Sequence, residues 1–157
     1  GGDAKKRKAV HTSLIGYHRM GETILPEIKK LKHSFQIIDL DPQVIESLHD
    51  QKIPAIYGDA GDDAFLKEIN IEKSKMIIST IPDVVISIDL LTYLHRRSYK
   101  GVVVVTCRTP SQARRCYDKG ASFVIIPSVL GAERFGDILK KKKGSKRSWM
   151  SSLPKKV

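Results

Sequence analysis

Apolar and polar positions along the chain change period repeatedly, and the changes mark out six strand–helix pairs. Residues 9–15 alternate loosely and end at Gly16, which predicts a first strand. From Met20 to about Lys32 the apolar residues Ile24, Ile28 and Leu31 fall at helical spacing, and Pro26 lies early enough in that helix to be tolerated. Residues 35–40 predict a second strand. Asp41-Pro42 then opens a helix whose buried face is Val44, Ile45 and Leu48. A third strand at Ala55–Tyr57, a short helix over 64–69, a strand at 76–80 and a helix over 84–99 continue the alternation. Residues 102–107 are apolar but for Thr106, the pattern of a central parallel strand buried on both faces. A helix over 110–119 ends at Gly120, a natural C′ glycine. The sixth strand, 123–126, is stopped by Pro127, and a last helix over 130–139 runs into a lysine cluster.

Strict alternation of this kind predicts an α/β, Rossmann-like fold: a six-stranded parallel sheet with helices on both faces. A chain of 157 residues accommodates one such domain and hardly two. The expected organisation is a basic flexible lead at 1–8, a nucleotide-binding domain at 9–140 and a basic tail at 141–157.

Charge and cysteine content narrow the function classes. The net charge is +11, but it is concentrated at the ends, in Lys5-Lys6-Arg7-Lys8 and in Lys140–Lys143 with Lys146 and Arg147. Such ends can meet nucleic acid, lie near anionic headgroups or simply be solvated. No nucleic-acid module is recognisable and the lysines are not interleaved with aromatics, so no nucleic-acid partner is expected. No apolar run approaches the roughly 20 residues that cross a bilayer, and the start carries no apolar leader core; the chain as it stands is expected to be soluble. Cys107 and Cys116 lack zinc spacing and do not suggest a disulfide framework, and a reducing compartment is the simpler assumption. Cys107, ending an apolar run, reads as a packed thiol.

The candidate chemistry follows the first strand. Gly16-Tyr17-His18-Arg19-Met20-Gly21 has the outer two glycines of the dinucleotide fingerprint G-x-G-x-x-G and replaces the middle one with His18. The first glycine makes the tight turn and the last brings the helix close to the sheet, while the middle one normally lets a pyrophosphate approach. A helix N-terminus still offers amides to an anion, and Arg19 could add a charge-assisted contact to phosphate. Asp39 closes the second strand at close to the roughly 20-residue spacing of a ribose-binding acid. It either accepts both ribose hydroxyls, which disfavours a 2′-phosphate, or merely starts the turn in which Asp41 caps the next helix. Asp59 could accept from an adenine amino group or cap the 64–69 helix. Thr80 could donate to phosphate or just end its strand. Arg108 could reach phosphate or form a salt bridge between domains. Neither a Cys-His nor a Ser-His pair is suggested by local spacing, and no histidine cluster has metal-ligand spacing. The site therefore reads as one that holds a nucleotide without turning it over. The competing reading is the cofactor-binding domain of an NAD-dependent oxidoreductase, against which the missing substrate domain counts.

Five segments carry a family resemblance: Gly16–Gly21, Ile37-Ile38-Asp39-Leu40-Asp41-Pro42, Ile56-Tyr57-Gly58-Asp59-Ala60, the run from Met76 to Asp83, and the run from Gly120 to Pro127. In this order, over roughly residues 10–140, the chain resembles RCK N-terminal (TrkA-N) domains. It is most similar to those at the cytoplasmic C-terminus of Kef-type monovalent cation/proton antiporters, a likeness that Ser128–Arg134 strengthens. The resemblance implies a regulatory site for an adenine nucleotide (AMP, ADP, ATP or NAD(H)) that gates transport of potassium or another monovalent cation. It implies that Gly16, His18, Arg19, Met20, Gly21, Asp39, Leu40, Asp59, Ala60, Thr80 and Arg108 line that site. It also implies a homodimer, through residues 129–140 with Val129, Leu130, Phe135, Ile138 and Leu139, or else ordinary intramolecular packing of that helix. A membrane-embedded transport domain of the same parent would be the further partner, with this domain on the cytoplasmic face. His18 departs from the pattern, which makes a mononucleotide a rival to an extended dinucleotide.

Overall fold

Leu14 and Ile15, consecutive on the first strand, face opposite sides of the sheet, and each starts a separate half of the core. The computed structural model describes residues 8–142 and 144–150. The expected basic lead, apart from Lys8, lies outside these residues, as do Lys143 and 151–157 of the expected tail. Six parallel strands form one sheet: β1 (Thr12–Ile15), β2 (Phe35–Asp39), β3 (Ala55–Tyr57), β4 (Met76–Ser79), β5 (Val102–Thr106) and β6 (Phe123–Ile125), in the order β3-β2-β1-β4-β5-β6. The helices are α1 (Met20–Lys30), α2 (Pro42–Asp50), α3 (Asp63–Glu68), α4 (Val84–Arg96), α5 (Pro110–Asp118), α6 (Pro127–Lys142) and α7 (Lys146–Met150), with a 3₁₀ turn at Ile71–Lys73.

The pleat sorts neighbouring residues to opposite faces. Leu14, Ile37 and Ile78 meet Leu25 and Ile28 of α1 and Leu48 of α2 on one side. Ile15, Ile38, Ile77, Val103 and Val105 meet Leu66 of α3, Leu90 and Leu94 of α4 and Cys116 of α5 on the other. The register places Leu14 between Ile37 and Ile78 on one face, and Ile15 between Ile38 and the buried Ser79 on the other. A one-residue slip would exchange the two sets at once, which is what fixes the pairing.

Helix starts are built from side chains. Asp41 caps α2 by accepting from the Gln43 amide, Asp62 caps α3, Asp83 caps α4 and Thr109 caps α5. Helix α1 differs: its N-cap residue, Arg19, makes no side-chain cap bond.

Three elements differ from the sequence expectation. Strand β1 begins at Thr12 rather than Ala9, because pairing with β2 starts at Thr12 opposite Phe35. The last helix begins at Pro127, the proline occupying a first-turn position where its missing N–H costs nothing, and it continues to Lys142. Helix α7 was not anticipated. Strand β5 is, as expected, an interior parallel strand paired with β4 and β6, although Val102 at its start is exposed.

Candidate functional site

The strand order reverses between β1 and β4, and the carboxyl ends of these two strands carry the glycine turn and Thr80. Gly16 has φ +88° and its N–H donates to the Ile38 carbonyl at 2.8 Å. A Cβ on Gly16 would stand 2.5 Å from the Thr80 hydroxyl, and one on Gly21 would stand 2.0 Å from the Gly16 carbonyl oxygen. Both outer glycines are thus required for α1 to start hard against the turn. The place of the fingerprint's middle glycine is taken by His18, which is exposed on the crest beside Arg19. Arg19 has φ +58°, a conformation an L side chain adopts at a cost of about 1–3 kcal/mol. Because no side chain caps α1, the positive end of its dipole is open to an anion from solvent.

Asp39 is buried and ties this turn to its neighbour. One carboxylate oxygen accepts the Tyr17 N–H at 2.8 Å and the other accepts the Asp41 N–H at 2.9 Å. Asp41 in turn accepts the Gln43 N–H, a bond that, with the nearby His18 imidazole, holds its carboxyl below the usual range. The His18 Nε2 to Asp41 carboxylate distance is 3.4 Å and both side chains face solvent, so this contact adds little.

The remaining predicted residues are spread over the elements around the turn. Thr80 is buried and its hydroxyl points back at the turn, donating toward the Gly16 carbonyl at 2.8 Å and the Ile15 carbonyl at 3.1 Å. It therefore braces the turn as well as ending its strand. Leu40 and Asp59 lie on the β2–β3 flank, where they line an open groove of 390 Å³ together with Tyr57, Gly58 and Phe65. Asp59 accepts the N–H of Gly61 at 2.8 Å; it does not cap the following helix, because Asp62 is the residue placed to reach the Ala64 amide. Ala60 is buried in the core rather than at the groove wall. Met20 is the half-buried first residue of α1. Arg108 is exposed just past the end of β5, its N–H donating to Gln112, and it forms no ion pair among the described residues. Gly16, Gly21, Asp39 and Thr80 are thereby one interlocked unit, with Arg19 exposed on its crest, Leu40 and Asp59 to one side and Arg108 to the other. Tyr57 and Phe65 were not foreseen as groove walls. Gly58 carried the signal, since a Cβ there would meet the Phe65 ring at 2.1 Å.

Cys107 and Cys116 are both fully buried with their sulfurs 3.3 Å apart, as a packed thiol pair. Among the described residues no cluster of three or more metal-ligating side chains occurs, and no helix is long and apolar enough to cross a membrane.

Comparison with known proteins places this geometry. The family model for the TrkA-N domain matches residues 12–127. Potassium channel protein 1 of Methanocaldococcus jannaschii is 29% identical over 131 residues, covering 82% of this chain and 39% of that protein. This chain thus spans about two fifths of that relative's length. The TrkA-N domain of the inner membrane protein ybaL from Escherichia coli superposes with a TM-score of 0.76 at 17% identity, over 82% of this chain and 96% of that one. The Kef CTD of Shewanella denitrificans in AMP-bound form superposes with a TM-score of 0.69 at 15% identity, over 89% of this chain and 86% of that one.

Proposed function

The chain belongs to the TrkA-N domain family, and from that premise we propose that it is a ligand-sensing domain rather than an enzyme. Its ligand is an adenine nucleotide, one of AMP, ADP, ATP or NAD(H), held over the β1–β4 switch point. Binding there biases a transport domain for potassium or another monovalent cation that belongs to the same parent protein on the cytoplasmic side of a membrane. The observation that carries this reading is the start of α1: among α1–α5 it alone has no side-chain cap, and it follows the glycine turn with Arg19 exposed on its crest. The phosphate takes the place of the missing cap, Arg19 and Arg108 approach it from two sides, and the free lone pairs of Asp39 accept the ribose hydroxyls. The groove edged by Leu40, Tyr57 and Asp59 receives the base. A related structure holding AMP in the same fold supports the ligand class.

A second copy of the chain is the proposed protein partner. Helix α6 has no buried residue and exposes Val129, Leu130, Phe135 and Leu139, which suits packing against a partner better than packing at home.

Calorimetric titration of the 157-residue chain with AMP, ADP, ATP, NAD⁺ and NADH tests the sensor reading. Saturable binding of at least one, weakened at least tenfold by Arg19→Ala with the fold intact, supports it. No binding of any by the folded chain overturns it.

A further inference from the structure

In a parallel sheet every helix hands the chain back to a strand at the same end of the molecule, so the loops that enter strands form one surface. In this chain that surface is basic. The five loops from α1–α5 into β2–β6 hold Lys32, Lys52, Lys73, Lys75, Lys100 and Lys119 together with Arg97, against the single acid Glu72. The opposite end, which bears the glycine turn, has Asp41, Asp59, Asp62 and Asp83 in its loops against Arg19 and Arg108. Helix dipoles do not cancel the difference. Five helix C-termini put roughly −0.5 charge each at the basic end, about −2.5 in all, which leaves it still positive by several charges.

The middle of this end is a groove of 630 Å³ lined by Lys73, Lys75, Lys100, Arg97, Tyr99 and Val102, among others. Arg97 is occupied, lying 3.7 Å from the Glu72 carboxylate and over the Tyr93 ring. Lys73, Lys75 and Lys100 form no ion pair among the described residues. Exposed apolar side chains stand among the charges, Leu31 beside Lys32 and Val102 in the groove. The chain also enters β1 at this end, where Lys8 precedes it.

We propose that this basic end is a docking surface for an anionic lipid bilayer, with Lys73, Lys75 and Lys100 reading headgroup phosphates and Leu31 and Val102 seating at the interface. A cationic end with scattered apolar tips is complementary to an extended anionic plane. The glycine turn then faces away from the bilayer and stays open to solvent. The proposed membrane tether enters only in choosing lipid over other polyanions; the charge segregation stands without it.

Flotation of the 157-residue chain with vesicles tests the proposal. Expected is binding to vesicles of phosphatidylcholine mixed with phosphatidylglycerol, none to phosphatidylcholine alone, and weakening as salt rises. K73E/K75E/K100E loses at least about tenfold in partitioning, and K140E/K141E/K146E, which reverses as many charges on α6 and α7, loses less than about threefold. If the reversal variant fails to fold, K73Q/K75Q/K100Q supplies the same comparison with a smaller loss. Equal losses in the two sets, no binding to the mixed vesicles, or displacement by inorganic phosphate at constant ionic strength would each overturn the lipid surface. Nucleotide titration of the same variants is expected to be unchanged, so a failure here leaves the sensor reading standing and the reverse.

Discussion

The carboxylate of Asp39 accepts the backbone N–H of Tyr17 at 2.8 Å, so the last residue of β2 holds the first amide after Gly16. Its other oxygen holds the Asp41 amide, and the two turns that flank the proposed ribose position share one buried carboxylate. Asp39→Ala leaves both amides without that partner and is expected to cost roughly 2–4 kcal/mol in urea unfolding. Asp39→Asn keeps one acceptor oxygen and is expected to cost about half as much. Loss of ligand affinity in Asp39→Ala therefore reports a distorted turn as well as a missing ribose contact.

Arg19 offers a cleaner separation of binding from folding. Its φ of +58° is relieved by glycine and not by alanine. Arg19→Gly is expected to melt at or above the wild-type temperature, while Arg19→Ala melts at or below it. Both are expected to lose at least tenfold in nucleotide affinity, because both remove the guanidinium. Thermal melts beside calorimetry check the pair; a variant that binds as wild type would remove Arg19 from the site.

Thr80 acts on the turn through one hydroxyl. Thr80→Val keeps the shape but withdraws the donor from the Gly16 carbonyl, and is expected to destabilise by about 1–2 kcal/mol. Thr80→Ser is expected to recover most of that in denaturant unfolding. If valine is neutral, the hydroxyl does not brace the turn.

Much of this architecture was legible in the sequence because two periods coincide with two faces. Leu14 and Ile15, Ile37 and Ile38, and Ile77 and Ile78 are doublets, and a strand covered on both sides needs both members apolar. The Asp41-Pro42 helix start was legible for the same reason, since cap chemistry is local. What escaped was set by distance along the chain. Nothing near Asp39 announces that its oxygens reach Tyr17, and nothing near Thr80 announces Gly16, which lies 64 residues away. Asp62, not Asp59, caps α3, a choice among closely spaced aspartates that depends on where the turn after β3 closes.

Half-buried Tyr99 and buried Cys116 both contribute to a loss of stability at alkaline pH. Tyr99 donates to the Ser74 carbonyl at 2.6 Å, and burial pushes its phenol from an ordinary value of 10.0 up to about 12. Cys116 is pushed from 9.0 up to about 12, by burial first and then by its contact with Cys107. Both are harder to ionise folded than unfolded, so the unfolded chain releases protons first as pH rises. Their contribution is fully present below about pH 9 and is lost progressively between pH 9 and 12. Urea midpoints across that window are expected to fall. In Tyr99→Phe the baseline is lower, by about 1 kcal/mol at neutral pH, but the fall above pH 10 is shallower. A parallel fall in both proteins would assign the alkaline loss to other groups. The same burial predicts that native Cys116 alkylates far more slowly than the unfolded thiol.

Helix α6 supplies the test of assembly, because it makes the fold and the partner separable. None of its side chains is buried, and Leu130 and Phe135 are 42% and 52% exposed. Exchanging them for aspartate should change monomer stability by no more than about 0.5 kcal/mol, the usual range for surface positions. Beside the start of α6, Pro110, Ala113, Tyr117 and Ile126, with Arg114, line a mainly apolar groove of 420 Å³, which in the proposed dimer would receive such side chains from a second copy. If the copy binds there, wild type sediments as a dimer and L130D/F135D as a monomer that melts at the same temperature at low concentration. Two aspartates in an apolar contact would each forfeit its burial and add a desolvated charge, so the dissociation constant is expected to rise by at least about a hundredfold. A wild type that stays monomeric at the highest accessible concentration would sink the dimer. A variant that unfolds would show instead that α6 packs on its own domain more tightly than its exposure indicates. Repeating the sedimentation with saturating nucleotide then asks whether ligand and partner are coupled: a shift in the dimer constant on binding is what a sensor requires, and by linkage the dimer must change nucleotide affinity by the same factor.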